Sequence, residues 1–151
     1  MLAENFHERN SMSDKYFIDT NILVYSFDAQ SRLKQKRAQE IIDEALSDHK
    51  GIISYQVIQE FLNVATRKFL TPLSVTDCRR YLEQVLYPLW DVYPSIDLYQ
   101  QALTIQAESG FSFYDSLIIA GALEGGCKII YSEDLKHDQV FSGLRMRNPF
   151  L

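Results

Sequence analysis

The sequence is poor in cysteine and lacks any apolar segment long enough to cross a membrane. Only two cysteines occur among the 151 residues, Cys78 and Cys127, and they lie far apart. Zinc sites and disulfide frameworks both need more cysteines at closer spacings, so we expect neither. The longest apolar runs, such as Leu117 to Ala120, are far shorter than the roughly 20 residues that a membrane span requires.

The first fourteen residues also lack the apolar segment that a secretory signal needs. Their sequence, MLAENFHERNSMSD, is polar and mixed in charge. We expect residues 1–14 to form a flexible extension and residues 15–151 to form a single domain, with Met12 as an alternative start to Met1. The small number of cysteines and the missing signal favour a cytoplasmic location.

An excess of basic residues is absent as well. The chain has 15 Lys and Arg against 20 Asp and Glu, which gives a formal net charge of −5 at pH 7. Proteins that hold nucleic acid by bulk electrostatics are usually basic, so any nucleic-acid role would depend on local basic patches and bound cations. The hydrophobic content of 46% is ordinary for a globular protein and provides for a real core.

Short apolar runs alternate along the chain with longer segments of helical periodicity. We predict strands over residues 15–19, 52–54, 91–94, 127–131 and 144–147, and helices over residues 33–46, 56–69, 75–90, 96–108 and 112–124. Thr20 and Asn21 supply polar side chains for a further helix start. Strands that alternate with helices favour an α/β fold with a mostly parallel, covered sheet. Such sheets bind ligands outside the carboxyl ends of their strands.

Four acidic residues fall where this fold brings side chains together. Asp19 ends the first predicted strand, and Asp134 follows the strand over residues 127–131. Glu60 and Asp115 lie in apolar surroundings near two helix starts, where the helix dipole alone is a sufficient reason for a carboxylate. Taken together, four acids predict a pocket that needs a cation, because packed carboxylates repel one another. An all-oxygen set suits Mg²⁺ or Mn²⁺.

The order of these motifs resembles the PIN-domain family, and most closely its VapC-type branch of metal-dependent ribonuclease toxins from bacterial toxin–antitoxin pairs. The matching segments are Phe17-Ile18-Asp19-Thr20-Asn21, Glu60 in its apolar helix, Tyr114 to Ala120, and Tyr131-Ser132-Glu133-Asp134. The resemblance runs from about Tyr16 to the C-terminus. It implies a PIN-like three-layer sandwich in which helices flank a short, mostly parallel central sheet.

The resemblance implies four acids that serve as catalytic and metal-binding residues: Asp19, Glu60, Asp115 and Asp134. It also matches Asn21 and Ser132 to polar residues that orient the carboxylates or water. The fourth acid is ambiguous, since Glu133 adjoins Asp134, although Asp134 fits the family pattern better. Whether one or two metal ions bind stays open.

The function that the resemblance implies is hydrolysis of RNA phosphodiester bonds by a Mg²⁺- or Mn²⁺-dependent endoribonuclease. Asp19 and Asp115 would be direct ligands, with Glu60 and Asp134 completing the shell or holding water. The family further implies an antitoxin partner, a homodimer and no membrane association. The alternative is a catalytically silent PIN-like module that binds nucleic acid or serves in assembly.

Overall fold

A six-stranded sheet forms the centre of the fold in the computed structural model, which describes residues 14–151. Its strands are β1 (Tyr16–Ile18), β2 (Gly51–Ser54), β3 (Trp90–Val92), β4 (Ile129–Tyr131), β5 (Val140–Phe141) and β6 (Leu144–Arg147). They lie in the order β3-β2-β1-β4-β6-β5. All neighbouring pairs in this sheet are parallel except β5 with β6. The predicted α/β class with a mostly parallel sheet is confirmed.

Helices connect the strands and flank the sheet. They are α1 (Thr20–Tyr25), α2 (Arg32–Asp48), α3 (Tyr55–Arg67), α4 (Val75–Tyr81), α5 (Tyr87–Leu89), α6 (Ile96–Ser109) and α7 (Phe113–Glu124). A π-helical turn, Leu82–Leu86, joins α4 to α5. Within residues 14–151, no helix is both long and apolar enough to span a membrane. The extension expected over residues 1–14 and the alternative start at Met12 lie, apart from Asp14, outside the described residues.

Serine side chains begin four of the helices. Each accepts a hydrogen bond from a backbone N–H in the first helical turn, and the four residues are Ser54, Ser74, Ser95 and Ser112. The start of α1 differs from the expectation that Thr20 and Asn21 supply the helix-start chemistry. Asp19 is the capping residue there, because its carboxylate accepts the Thr20 N–H.

The start of β3 and the presence of β5 differ from the sequence-based prediction. Trp90 belongs to strand β3, where it pairs with Ile53, although the helical pattern extended to residue 90. The chain leaves the helix because Trp90 takes an extended conformation. Strand β5 has no counterpart in the prediction, because a strand of two residues is too short to show alternating hydrophobicity. The Ser142-Gly143 pair that follows it is nevertheless a turn signal. Both turn residues have positive φ, 51° and 83°, as a tight hairpin turn requires.

Gly51 lets helix α2 and strand β1 approach closely at the start of β2. A Cβ at this position would overlap the Ala45 Cβ and lie 2.7 Å from the Tyr16 Cε2. Gly121 on α7 is different, because a Cβ there would make ordinary contacts of 3.7 Å with three side chains.

We therefore expect Gly51→Ala to lower the free energy of unfolding by about 1–3 kcal/mol, the usual cost of overpacking a core. Gly121→Ala is the matched control, and it should leave stability unchanged or raise it by up to about 1 kcal/mol through better helix propensity. Urea denaturation of both variants measures the difference. Equal effects of the two substitutions would contradict the close approach at Gly51.

Candidate active site

Acidic residues gather at the carboxyl ends of the central strands. Asp19 follows β1 directly, and Asp134 lies shortly after β4. Because β1 and β4 are parallel neighbours, their carboxyl ends meet at the same edge of the sheet. Glu60 lies on α3, the helix that follows β2, and β2 is the other neighbour of β1. Asp115 lies in the first turn of α7.

The Asp19 carboxylate is buried, with 8% of the residue exposed. Its Oδ1 accepts the Thr20 N–H at 2.7 Å, and its Oδ2 accepts the Ser132 hydroxyl at 2.7 Å. Burial, helped by the negative charges of Glu60 and Asp134, raises the pKa of Asp19 to about 6, although these two hydrogen bonds lower it. The site therefore carries negative charge that a bound cation would stabilise.

Asn21 joins the start of α1 to the loop after β4. Its Nδ2 donates to the Asp134 Oδ2 at 3.1 Å and lies 3.3 Å from the Ser132 Oγ, and its Oδ1 accepts the Glu133 N–H at 3.2 Å. Ser132 is fully buried and also accepts the Asp134 N–H at 3.1 Å. The two residues expected to orient the carboxylates are thus placed between Asp19 and Asp134.

Glu133 is directed to a cation instead of to Asp19. The Lys34 Nζ lies 2.7 Å from the Glu133 Oε1, and it also lies over the Tyr25 and Phe150 rings, 4.7 and 5.6 Å from their centroids. Partial burial raises the pKa of Glu133, but hydrogen bonds from Lys34 and Tyr25 and the Lys34 charge lower it more, so the pKa lies below its ordinary value. Of the two adjacent acids, Asp134 is the one that the structure joins to Asp19.

Glu60 is held through both of its oxygens. The Thr20 hydroxyl donates to Oε2 at 2.8 Å, and the Gln56 Nε2 donates to Oε1 at 2.8 Å. Gln56 Nε2 also lies 3.3 Å from the carbonyl oxygen of Tyr114, directly before Asp115. Neither Thr20 nor Gln56 was among the predicted site residues. A signal for Gln56 was present, because a residue four positions before Glu60 shares its helix face.

Asp115 is connected to the other candidate acids less directly than Glu60 and Asp134 are. It is half-buried, and its backbone N–H donates to the Ser112 Oγ at 3.1 Å. Its helix start is joined to Glu60 through Gln56 and the Tyr114 carbonyl. Within residues 14–151, no three Asp, Glu, His or Cys side chains are grouped closely enough to hold a metal ion in their present positions. The acids share one edge of the sheet without forming a preformed cage.

The chemistry of this donor set nevertheless fits a hard divalent cation. Every candidate ligand is a carboxylate or an amide or hydroxyl oxygen, the ligands that Mg²⁺ and Mn²⁺ prefer. Burial raises the pKa of Asp19, and the groups that lower it, Ser132 and Thr20, supply hydrogen bonds but no positive charge. A cation bound between Asp19 and the neighbouring acids would supply that charge.

The family model of the PIN domain matches residues 16–141 of the sequence. The chain belongs to the PIN-domain family. The match begins at β1 and ends at β5, so it includes all four candidate acids of this PIN domain. A search among curated proteins finds no significant match.

Solved structures of other proteins share the fold. A toxin–antitoxin complex from Klebsiella pneumoniae gives a TM-score of 0.62 at 16% identity, over 86% of this chain and 95% of that chain. A DNA-bound VapBC from Salmonella typhimurium gives 0.62 at 20% identity, over 89% and 97%. The sarcin–ricin-loop-cleaving toxin VapC20 from Mycobacterium tuberculosis gives 0.53 at 19% identity, over 80% and 90%. At these identities the likeness establishes the PIN fold.

The raised pKa of Asp19 predicts a pH trend in the stability of the metal-free protein. The folded state holds the Asp19 proton more tightly than the unfolded state, so this residue's contribution to stability is present near pH 4 and is lost as the pH rises to about 6. Asp19→Asn removes the titration. We expect its stability relative to the parent protein to rise by at most about 3 kcal/mol over this range.

Thermal or urea unfolding in EDTA between pH 4 and pH 7 measures this trend. Asp43→Asn, an exposed aspartate on α2, controls for the loss of a surface carboxylate. Parallel stability curves for Asp19→Asn and the parent protein would contradict the effect of burial on Asp19.

Proposed function

We propose that this PIN domain is an endoribonuclease that hydrolyses RNA phosphodiester bonds, and that it is the toxin of a toxin–antitoxin pair. One observation carries the proposal: at one edge of the sheet, Thr20 donates hydrogen bonds to Asp19 and Glu60, and Asn21 donates to Asp19 and Asp134. These three acids match the family's acids in order. Asp115 completes the set from the start of α7. The similar solved structures, described as toxin–antitoxin complexes and a sarcin–ricin-loop-cleaving toxin, support the hypothesis of a toxin ribonuclease.

In this proposal a Mg²⁺ or Mn²⁺ ion is held by four acids: Asp19, Glu60, Asp115 and Asp134. When bound, the ion supplies charge neutralisation at the scissile phosphate and makes a water molecule a better nucleophile. The matched PIN family model supports a divalent metal. The raised pKa of Asp19 supports a cation at this position, because ionising the buried carboxylate is easier beside a positive charge.

The protein's own residues would keep the carboxylates ionised and correctly oriented. The Thr20 N–H and the Ser132 hydroxyl each stabilise one oxygen of the Asp19 carboxylate. Asn21 holds one oxygen of Asp134, and because Asp134 is exposed, its other oxygen would be accessible to a hydrogen bond from the attacking water. Oriented acceptors of this kind lower the barrier by placing the water before the reaction begins.

Partners and location belong to the same proposal. If the protein is a toxin, its substrate would be RNA, an antitoxin protein would block its acidic site, and it would form a homodimer. Two of the similar solved structures are toxin–antitoxin complexes, which supports an antitoxin partner. A cytoplasmic location fits the two free, buried cysteines, Cys78 and Cys127.

A second function is favoured by a different observation. Among the described residues the acids do not form a preformed metal cage. A PIN domain that retains the acidic edge without binding metal would act as a nucleic-acid-binding or assembly module. Metal-dependent cleavage separates the two functions.

We expect the purified protein to cleave an end-labelled RNA pool in Mg²⁺ or Mn²⁺ and to leave it intact in EDTA. Asp115→Asn should reduce cleavage to background, because it removes a ligand charge at nearly constant volume. Asp97→Asn is the matched control, since Asp97 also lies in the first turn of a serine-capped helix, α6. Full activity of Asp115→Asn, or cleavage in EDTA, would contradict the metal mechanism. RNA binding without cleavage would favour the binding module.

Because the protein is acidic, we expect it to bind RNA through contacts that do not depend on its net charge. Tyr114 is 67% exposed directly before Asp115, and the Phe113 ring packs edge-on against it at 5.6 Å. Stacking of a base on an aromatic ring contributes about 1–3 kcal/mol. We therefore expect Tyr114→Ala to weaken binding of single-stranded RNA by about 5- to 150-fold.

Fluorescence anisotropy of a labelled single-stranded RNA in EDTA measures this loss without cleavage. Tyr114→Trp should retain binding because it keeps an aromatic face. Tyr87→Ala is the control, since Tyr87 on α5 is equally exposed at 67%. Equal losses in Tyr114→Ala and Tyr87→Ala would contradict a stacking role for Tyr114.

A further inference from the structure

Gln56 is a buried polar residue on a helix whose other buried residues are apolar. It is only 4% exposed, and the other buried residues of α3 are Val57, Phe61 and Ala65. Burying an amide is costly unless hydrogen bonds replace the lost water. An apolar side chain would pack at this position at lower cost, so the contacts of Gln56 need an explanation.

Those contacts connect two of the four acids. The Gln56 Nε2 donates to the Glu60 Oε1 at 2.8 Å and to the Tyr114 carbonyl at 3.3 Å. The amide orientation follows from chemistry, because its oxygen would face two acceptors if it were turned over. One side chain thus holds the Glu60 carboxylate and the backbone directly before Asp115.

The other oxygen of Glu60 is held as well. The Thr20 hydroxyl, next to Asp19, donates to Oε2 at 2.8 Å. Glu60 is therefore held directly by Thr20 at the start of α1 and is connected through Gln56 to Tyr114 at the start of α7. Thr20 and Tyr114 are the immediate neighbours of Asp19 and Asp115, two candidate metal ligands. The Gln56 Oε1, in contrast, is a buried atom with no hydrogen-bond partner. An unsatisfied buried oxygen costs stability, which favours a functional reason for keeping an amide here.

We propose that Gln56 is a positioning residue that orients the Glu60 carboxylate, and couples it to the start of α7, for the binding of a divalent cation. It acts through Glu60 and does not touch the ion. This inference rests on the proposed metal site but not on RNA cleavage. Residues that orient metal ligands in this way typically contribute 10- to 100-fold to metal affinity or activity.

The test compares Gln56→Met with Gln59→Met. Methionine keeps the length and volume of glutamine and removes its hydrogen bonds, and Gln59 is an exposed glutamine on the same helix. Isothermal titration with Mn²⁺ alone, without RNA, measures the affinity. We expect Gln56→Met to weaken Mn²⁺ binding by about 10- to 100-fold and to lower kcat with little change in KM. Gln59→Met should change neither.

Metal-free melting temperatures separate positioning from structural damage. A Gln56→Met protein that melts lower but binds Mn²⁺ as the parent does would overturn the proposal. If Gln56→Met does not fold, Thr20→Val removes the second anchor of Glu60 at constant shape and should weaken Mn²⁺ binding to a similar degree. Unchanged affinity in that variant, or no Mn²⁺ binding by the parent protein, would also overturn it. Mn²⁺ binding without RNA cleavage would leave Gln56 its role and reject the nuclease function.

Discussion

The burial of the Asp19 carboxylate at the end of β1 is the constraint on which the rest of the site depends. The carboxylate caps α1 through the Thr20 N–H and accepts the Ser132 hydroxyl from the loop after β4. It therefore joins the first helix to the neighbouring parallel strand. The same burial raises its pKa to about 6 and makes a positive charge favourable there. The buried Asp19 carboxylate thus stabilises the fold and also favours a cation at the site.

The other polar residues of the site hold the acids near Asp19 in place without neutralising their charge. Asn21 holds Asp134, and Thr20 with Gln56 holds Glu60, and all of these donors are uncharged. Lys34, which lies at this edge, pairs with Glu133. Neutral donors fix the orientation of a carboxylate but leave its charge available, which suits a site that binds a divalent cation.

The sequence was sufficient to predict the strand-end positions of Asp19 and Asp134 and the helix-start position of Asp115, because those follow from local period and from the parallel topology. Glu60, expected near a helix start, lies in the second turn of α3. Asp19 and Asp134 meet as the pairing of β1 with β4 requires. The roles of Thr20 and Gln56 could not be predicted in the same way, since their hydrogen bonds to Glu60 and Tyr114 depend on how three helices pack. The helix end at Leu89 and the two-residue strand β5 depend on pairing across the sheet, which carries little local signal.

The central claim is that these acids, separate in the chain and only loosely grouped in the fold, form one metal site. Anomalous diffraction from a crystal grown with Mn²⁺ tests it most directly. The account predicts an anomalous peak at the carboxyl edge of the sheet, bonded to Asp19 and Asp115, with Glu60 and Asp134 beside it. A peak elsewhere on the protein, or an empty acidic edge at saturating Mn²⁺, would contradict the account.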